Sequence, residues 1–281
     1  MKIMQSFRTH AWVATFFSIA LIPLAAAAQR GEGELRLEQP KGITVQEVIQ
    51  RFAAKEKQFK EAREKYTWQQ SIKVQTLDGD TVDGEFQQVS NILFDDKGRR
   101  IEQVTFAPQN TLTRIGMTEE DFDDIRHRLP FVLTSDEIPE YDINYVGQQR
   151  EDELETYVFD VKPKKMEKGK RYFQGRIWVD QTDLQIVKTY GKNVPDIVKK
   201  GSENLFPNFT TYRELIDGKY WFPTYTKVDD VLHFSTGDVH TRQIIKYTNY
   251  KRFGSDVKIT YEGQDVKKDQ KDQTPPPQKP Q

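Results

Sequence analysis

YFQGRIWVDQTDLQIVKTYGK, running from Tyr172 to Lys192, is the stretch whose reading decides the fold. Phe173, Ile177 and Val179 alternate with Gln174, Arg176 and Asp180, the period-two pattern of a strand with one face buried. Trp178 points opposite to Ile177 and Val179, towards the other face. The polar run Asp180 to Asp183 supplies turn formers, and Leu184 to Tyr190 returns as a second apolar strand. The segment therefore predicts an antiparallel hairpin with one ring-bearing face. Just upstream, Tyr157, Phe159 and Val161 alternate with Thr156, Val158 and Asp160, which extends the same face by a third strand, Leu154–Val161.

Working outward, the pattern repeats. Tyr66, Trp68, Ile72 and Val74 share a face and end at the Asp78-Gly79 turn; Gln87–Phe94 and Arg100–Phe106 follow, with Val104 and Phe106 on one face. Runs broken by Asp-Gly turns are antiparallel hairpin signals. Further strands are expected at Tyr141–Gly147, Phe209–Ile216, Tyr220–Val228, Val239–Tyr250 and near Val257–Tyr261, with a loop around Pro195–Pro207. That makes about ten or eleven strands. A helix precedes them. Thr44 and Glu47 form a capping box, Ile43 and Val48 a hydrophobic staple, and Val45, Val48, Ile49, Phe52, Phe59 and Tyr66 a stripe broken only by Glu56. A shorter helix starts at Thr118 and stops before Pro130. Glu119 to Asp124 make its acidic and solvated start, His127 and Arg128 its basic end, and Phe122, Ile125 and Leu129 its buried side.

A sheet of this length twists and curls, and about ten curled strands enclose more width than their own side chains fill. The expected fold is mainly β with helices: an unclosed antiparallel β-barrel, or half-barrel, of about ten to eleven strands. The helix Val45–Tyr66 serves as plug and Thr118–Leu129 as inserted lid. Val45, Val48, Ile49 and Phe52 are the plug's inward residues. The expected lining of the remaining hollow is Trp68, Phe94, Phe106, Tyr157, Phe159, Phe173, Ile177, Val179 and Trp221. Packing of these rings into a filled core is the plainer alternative for any one of them.

On this hairpin, with its W-V-D strand end and apolar return strand, the chain resembles the LolA/LolB-like outer-membrane lipoprotein carriers. The late strand GKYWFPTYTKV (Gly218–Val228) and the element order fit the same superfamily, as a distant member. The resemblance is specific over some 50 residues and topological elsewhere. It implies an unclosed barrel with helices as lid, an extracytoplasmic location and binding of acyl chains.

Met1–His10 carries Lys2 and Arg8 without an acid, Ala11–Leu24 is apolar, and Ala25–Ala28 offers small residues for cleavage, the arrangement of a secretory signal peptide. An uncleaved anchor is the alternative, against which Pro23 interrupts the run. The expected organisation is signal peptide 1–28, linker 29–42, one domain over 43–261, and a disordered polar tail over 262–281 ending QTPPPQKPQ. No later stretch has the roughly 18 apolar residues of a spanning helix. With 42 Lys+Arg against 43 Asp+Glu, the chain lacks the basic excess of a nucleic-acid binder. It has no cysteine, which removes disulfides, thiolate metal sites and Cys nucleophiles.

Signals for chemistry are weak. His233 and His240, with Asp229 and Asp230, lack the close spacing of a zinc site, so no metal is expected. There is no G-x-S-x-G elbow and no phosphate-binding glycine loop, hence no expected cofactor or catalytic residue. A secreted hydrolase is the least favoured reading. The Asn208-Phe209-Thr210 sequon reads as chance, and the lysine-rich run Lys162–Lys170 as a solvated loop or a patch for an acidic partner. The expectation is a non-enzymatic periplasmic binding protein that shelters an acyl chain of a lipoprotein or lipid and hands it to an envelope partner. The alternative is a ligand-free envelope assembly module.

Overall fold

The computed structural model describes residues 31–95, 97–199 and 202–252. The expected signal peptide, the strand near Val257–Tyr261 and the tail 262–281 lie outside the described residues.

Thr44 caps α1 (Val45–Arg63): its hydroxyl accepts from the Glu47 amide at 3.2 Å, and the Glu47 carboxylate accepts from the Thr44 amide at 2.9 Å. The helix ends at Arg63, one turn short of the expected Tyr66, because Tyr66 already belongs to the sheet and stacks on Phe222 at 4.6 Å. A meander follows: β1 (Tyr66–Asp78), β2 (Thr81–Phe94) and β3 (Arg100–Phe106). Next come α2 (Glu119–His127), then β4 (Tyr141–Glu151), β5 (Leu154–Pro163), β6 (Tyr172–Asp180) and β7 (Ile186–Val194). The stretch read as a loop near Pro195–Pro207 contains a small separate hairpin, β8 (Ile197–Lys199) and β9 (Ser202–Asn204). β10 (Phe209–Ile216), β11 (Tyr220–Phe234) and β12 (Gly237–Arg252) complete the described chain. Asp217 and Gly218 both take positive φ (53° and 63°), the two-residue turn whose twist matches that of its flanking strands.

All pairings are antiparallel, in the order β3-β2-β1-β12-β11-β10-β7-β6-β5-β4. The two end strands do not meet, so the sheet curls without closing. The two arms meet where β1 pairs with β12, from Tyr66–Arg252 to Leu77–His240. One edge is covered: residues 31–39, read from sequence as linker, run along β4 with bridges Glu32–Glu151 and Arg36–Gln148. The other edge, β3, is open among the described residues.

In the hairpin that opened the sequence reading, Gly175 pairs directly with Gly191. A Cβ on either glycine would sit 2.9 Å from Phe173 Cζ and closer still to backbone, so both must be glycine for the strands and the ring to pack this tightly. The Phe173 ring lies against this paired-glycine surface and stacks on Phe131 at 4.2 Å.

α1 fills part of the concave face. Val48, Ile49, Phe52 and Ala53 of α1 pack among Trp68, Ile72, Ile92, Phe159, Phe173 and Ile177, and Phe52 meets Phe159 at 5.6 Å. Each fully buried ring of this kind contributes roughly 1.5–3 kcal/mol relative to exposure. Glu56, the break in the stripe, is wholly buried and is answered across the core by Arg213 of β10, at 2.9 and 3.2 Å.

Candidate functional site

α1 fills one part of the half-barrel, and a hollow remains beside it under α2. Thr118 caps α2, accepting from the Asp121 amide at 3.2 Å while the Asp121 carboxylate accepts from the Thr118 amide at 2.8 Å. This start directs Ile125 and Leu129 down onto the sheet. The hollow measures about 490 Å³, inside the roughly 300–1,000 Å³ of small-ligand sites. Its floor is Val74 of β1, Phe209 of β10, and Val228 and Leu232 of β11; Ile125 and Leu129 form the roof. Ile115 and Met117 close one side, and Val198, Leu205 and Phe206 of the β8–β9 region the other.

The β8–β9 hairpin is held over the hollow by polar tethers at its ends. Asn204 donates to Thr118 Oγ1 at 2.8 Å, the Ser235 hydroxyl and amide donate to Glu203 at 2.8 and 2.7 Å, and the Phe206 amide donates to Asp196 at 3.0 Å.

One wall is polar and buried. Asp124 of α2 is 4% exposed; its carboxylate accepts from Asn193 Nδ2 of β7 at 2.8 Å and ion-pairs with Arg171, ahead of β6, at 2.8 Å. Burial pushes the Asp124 carboxyl up to about 6, against the pull of Arg171 and Asn193. The Arg171 guanidinium stacks 3.3 Å from the centre of the Phe206 ring. This group ties α2 to the back wall of the hollow. The sequence reading made Glu119–Asp124 a solvated helix start. That holds for Glu119 and Glu120, which are exposed, and is corrected for Asp124, which faces inward.

None of the nine residues expected to line the hollow lies on its wall. Tyr157, Phe159, Phe173, Ile177 and Val179 are buried on the concave face, together with the plug residues Val48, Ile49 and Phe52, and Val45 packs at the rim of that core. Trp68 stacks with Phe94 and Tyr250, each at 5.8 Å. Phe106 is 50% exposed on the open edge β3; a bulge between Val89 and Ser90 precedes its pairing with Val89 and breaks the expected alternation. Trp221 packs with Val158, Trp178 and Val187 on the outer face and donates to Asp183 at 2.6 Å, while its neighbour Phe222 points inward onto Phe59. The wall residues missed were the short helix's Ile125 and Leu129, read only as its buried side, and Phe206, Phe209, Val228 and Leu232 from strand ends and a stretch read as loop.

A second hollow, about 800 Å³, lies on the outer face. It is larger, and two of its cations are paired, Arg176 with Asp160 at 2.8 Å and Lys188 with Glu151 at 3.0 Å and with Glu32, while Lys162 and Lys227 also line it. His233 and His240 pair with different aspartates, Asp238 at 2.8 Å and Asp229 at 2.5 Å. No helix among the described residues is long and apolar enough to cross a membrane.

No protein-family model matches the chain, and no curated protein sequence matches it. Among solved structures, it is similar to a DUF1329 family protein from Desulfovibrio piger at 15% identity, covering 73% of this chain and 92% of that one, with a TM-score of 0.36. It is similar to a putative outer membrane lipoprotein-sorting protein domain from Vibrio parahaemolyticus at 13% identity, covering 73% and 93%, with a TM-score of 0.34. The Pseudomonas aeruginosa MucA/MucB complex also matches, at 10% identity over 74% of this chain and 98% of that one, with a TM-score of 0.21.

Proposed function

We propose that this protein is an exported binding protein that shelters one apolar chain, the acyl chain of a lipid or lipoprotein, in the hollow beneath α2 and the β8–β9 hairpin. The observation that carries this reading is the apolar floor and roof of that hollow, Val74, Phe209, Val228 and Leu232 facing Ile125 and Leu129 in a space of about 490 Å³, with polar residues such as Asp121, Asn193 and Gln243 on the rest of its wall. Burying an alkyl chain yields roughly 0.8 kcal/mol per methylene, so about ten methylenes give some 8 kcal/mol before the cost of association. No covalent step is needed. Release requires an acceptor, a membrane or a protein partner, that buries the chain at least as well. Export rests on the N-terminal sequence, with its basic start, apolar run and small-residue cleavage site.

The test is uptake of a fluorescent fatty acid by detergent-free protein, together with native mass spectrometry for co-purifying lipid. Saturable uptake by the wild type and its loss in Val228→Trp, whose indole fills the floor of the hollow, are expected. Lipid-free protein that also ignores the probe refutes the reading. So does a V228W variant that binds as well as the wild type.

A further inference from the structure

On another side of α2 from the hollow, the described residues hold a group of buried donors that lack acceptors. Trp68 and Gln70 of β1 are each at least nine-tenths buried, and Trp68 Nε1 and Gln70 Nε2 have no hydrogen-bond partner; neither does Nε of Arg100, at the start of β3. Buried donors left unmatched are costly, and native proteins match nearly all of them.

Positive charge surrounds these donors. Arg63, at the end of α1, stacks over the Trp68 ring at 5.2 Å and donates only to the Arg126 carbonyl, at 3.4 Å; it pairs with no carboxylate among the described residues. Arg100 donates to Gln70 Oε1 at 3.1 Å and to Glu102 at 2.7 Å. Arg126 of α2 reaches the same Glu102 at 3.7 Å and the exposed Glu119 at 4.0 Å. Among the described residues Glu102 is thus shared by two guanidiniums, Arg100 and Arg126, while Arg63 beside them has no carboxylate of its own. Asp123 lies outside with His127, and Glu56 is taken by Arg213. Burial first, then Arg100 and Arg213, hold the Arg63 pKa below its ordinary value, the direction that a bound anion would reverse. Arg63 and Arg126 are partly exposed, so the cluster borders solvent at the C-terminal ends of α1 and α2.

We infer that this donor cluster, between the end of α1, α2 and the β1–β3 arm, binds a phosphate oxyanion, held by Arg63 and by the free donors of Trp68, Gln70 and Arg100. Phosphate presents several strongly accepting, negatively charged oxygens, which is what a set of unmatched donors beside an unpaired guanidinium recognises. The site uses none of the hollow's residues, so it stands or falls separately from the acyl-chain reading.

Two probes separate the sources of such a group: inorganic phosphate, and a short-chain phosphatidic acid below its micelle concentration. Binding is read by calorimetry and by tryptophan fluorescence, with chloride at matched ionic strength as reference and Trp68→Phe to assign the optical signal. Saturable binding that weakens roughly tenfold or more in Arg63→Gln, the loss of a charged hydrogen-bonding partner, supports the site. A response to inorganic phosphate assigns a free anion; a response to the lipid alone assigns a lipid headgroup. Gln70→Leu, which keeps most of the volume and removes one donor, serves as the second variant if R63Q does not fold, and it too should weaken binding. No saturable response to either probe in the wild type means that water alone meets these donors, and the site is overturned. Equal binding by wild type and the folded variants overturns it as well.

Discussion

Arg213→Met tests what holds the plug in the half-barrel. Arg213 donates to both oxygens of the wholly buried Glu56, at 2.9 and 3.2 Å, to the Ile186 carbonyl at 3.3 Å and to the Phe131 carbonyl. Its guanidinium also lies 5.2 Å from the Phe59 ring. Methionine fills much of the space but leaves a carboxylate and two carbonyls without that donor, and removing one partner of a buried ion pair costs roughly 3–5 kcal/mol. At about 2–4 °C per kcal/mol for a domain of this size, the melting temperature should fall by roughly 6–20 °C. The pH dependence has a definite sign. Burial already raises the Glu56 pKa, with Arg213 opposing the rise. Without Arg213 it climbs further, so the folded variant binds a proton that the unfolded chain releases, and stability falls as pH rises above the ordinary carboxylate range. Urea unfolding at pH 5 and pH 8 should therefore show the larger deficit at pH 8, and adding Glu56→Gln should recover part of it there. A variant melting within about 2 °C of wild type, or a deficit indifferent to pH, refutes the argument that this pair anchors α1.

Asp124 gives a second pH test: its carboxyl, pushed up to about 6 from an ordinary 3.8, keeps a proton that the unfolded chain loses. Stability from this group is present below about pH 4 and is lost as pH rises through about 6, and Asp124→Asn should flatten that part of a denaturation-versus-pH curve. Gly191→Ala should lower the melting temperature sharply, because its Cβ would sit 2.3 Å from the Gln174 carbonyl oxygen and 2.9 Å from Phe173. Overpacking costs about 1–3 kcal/mol or more, and a circular-dichroism melt unchanged by this substitution would mean that the two strands are not so closely apposed.

Much of the fold was legible in the chain because its causes are local. Alternation in Phe173–Val179 and Tyr157–Val161 follows from the pleat, Asp217-Gly218 from a turn requiring positive φ, and the starts of α1 and α2 from capping boxes at Thr44 and Thr118. That the sheet curls without closing also follows from strand number and twist. The position of the hollow was not legible. It is the volume left after α1 packs on one part of the curved sheet, and that depends on how the helix seats and how far the strands bend. The rings that sequence alternation placed around a cavity, Phe159 and Phe173 among them, are the surface on which α1 and its neighbours rest. Bulges did the rest: one beside Val89 altered the facing of Phe106, and tertiary packing put Phe222 rather than Trp221 inside.

Charged residues divided in the same way. The sequence marked Glu56 only as an interruption and Asp124 only as a helix start. Their partners Arg213 and Arg171 lie 157 and 47 positions away in the chain, brought near by the pairing of distant strands. Sequence alone thus determined strand periods, turns, caps and the open sheet, each fixed within a few residues of its cause. Tertiary structure alone decided which apolar face is covered, where space remains, and which buried charges are matched, because burial depends on everything packed around a site.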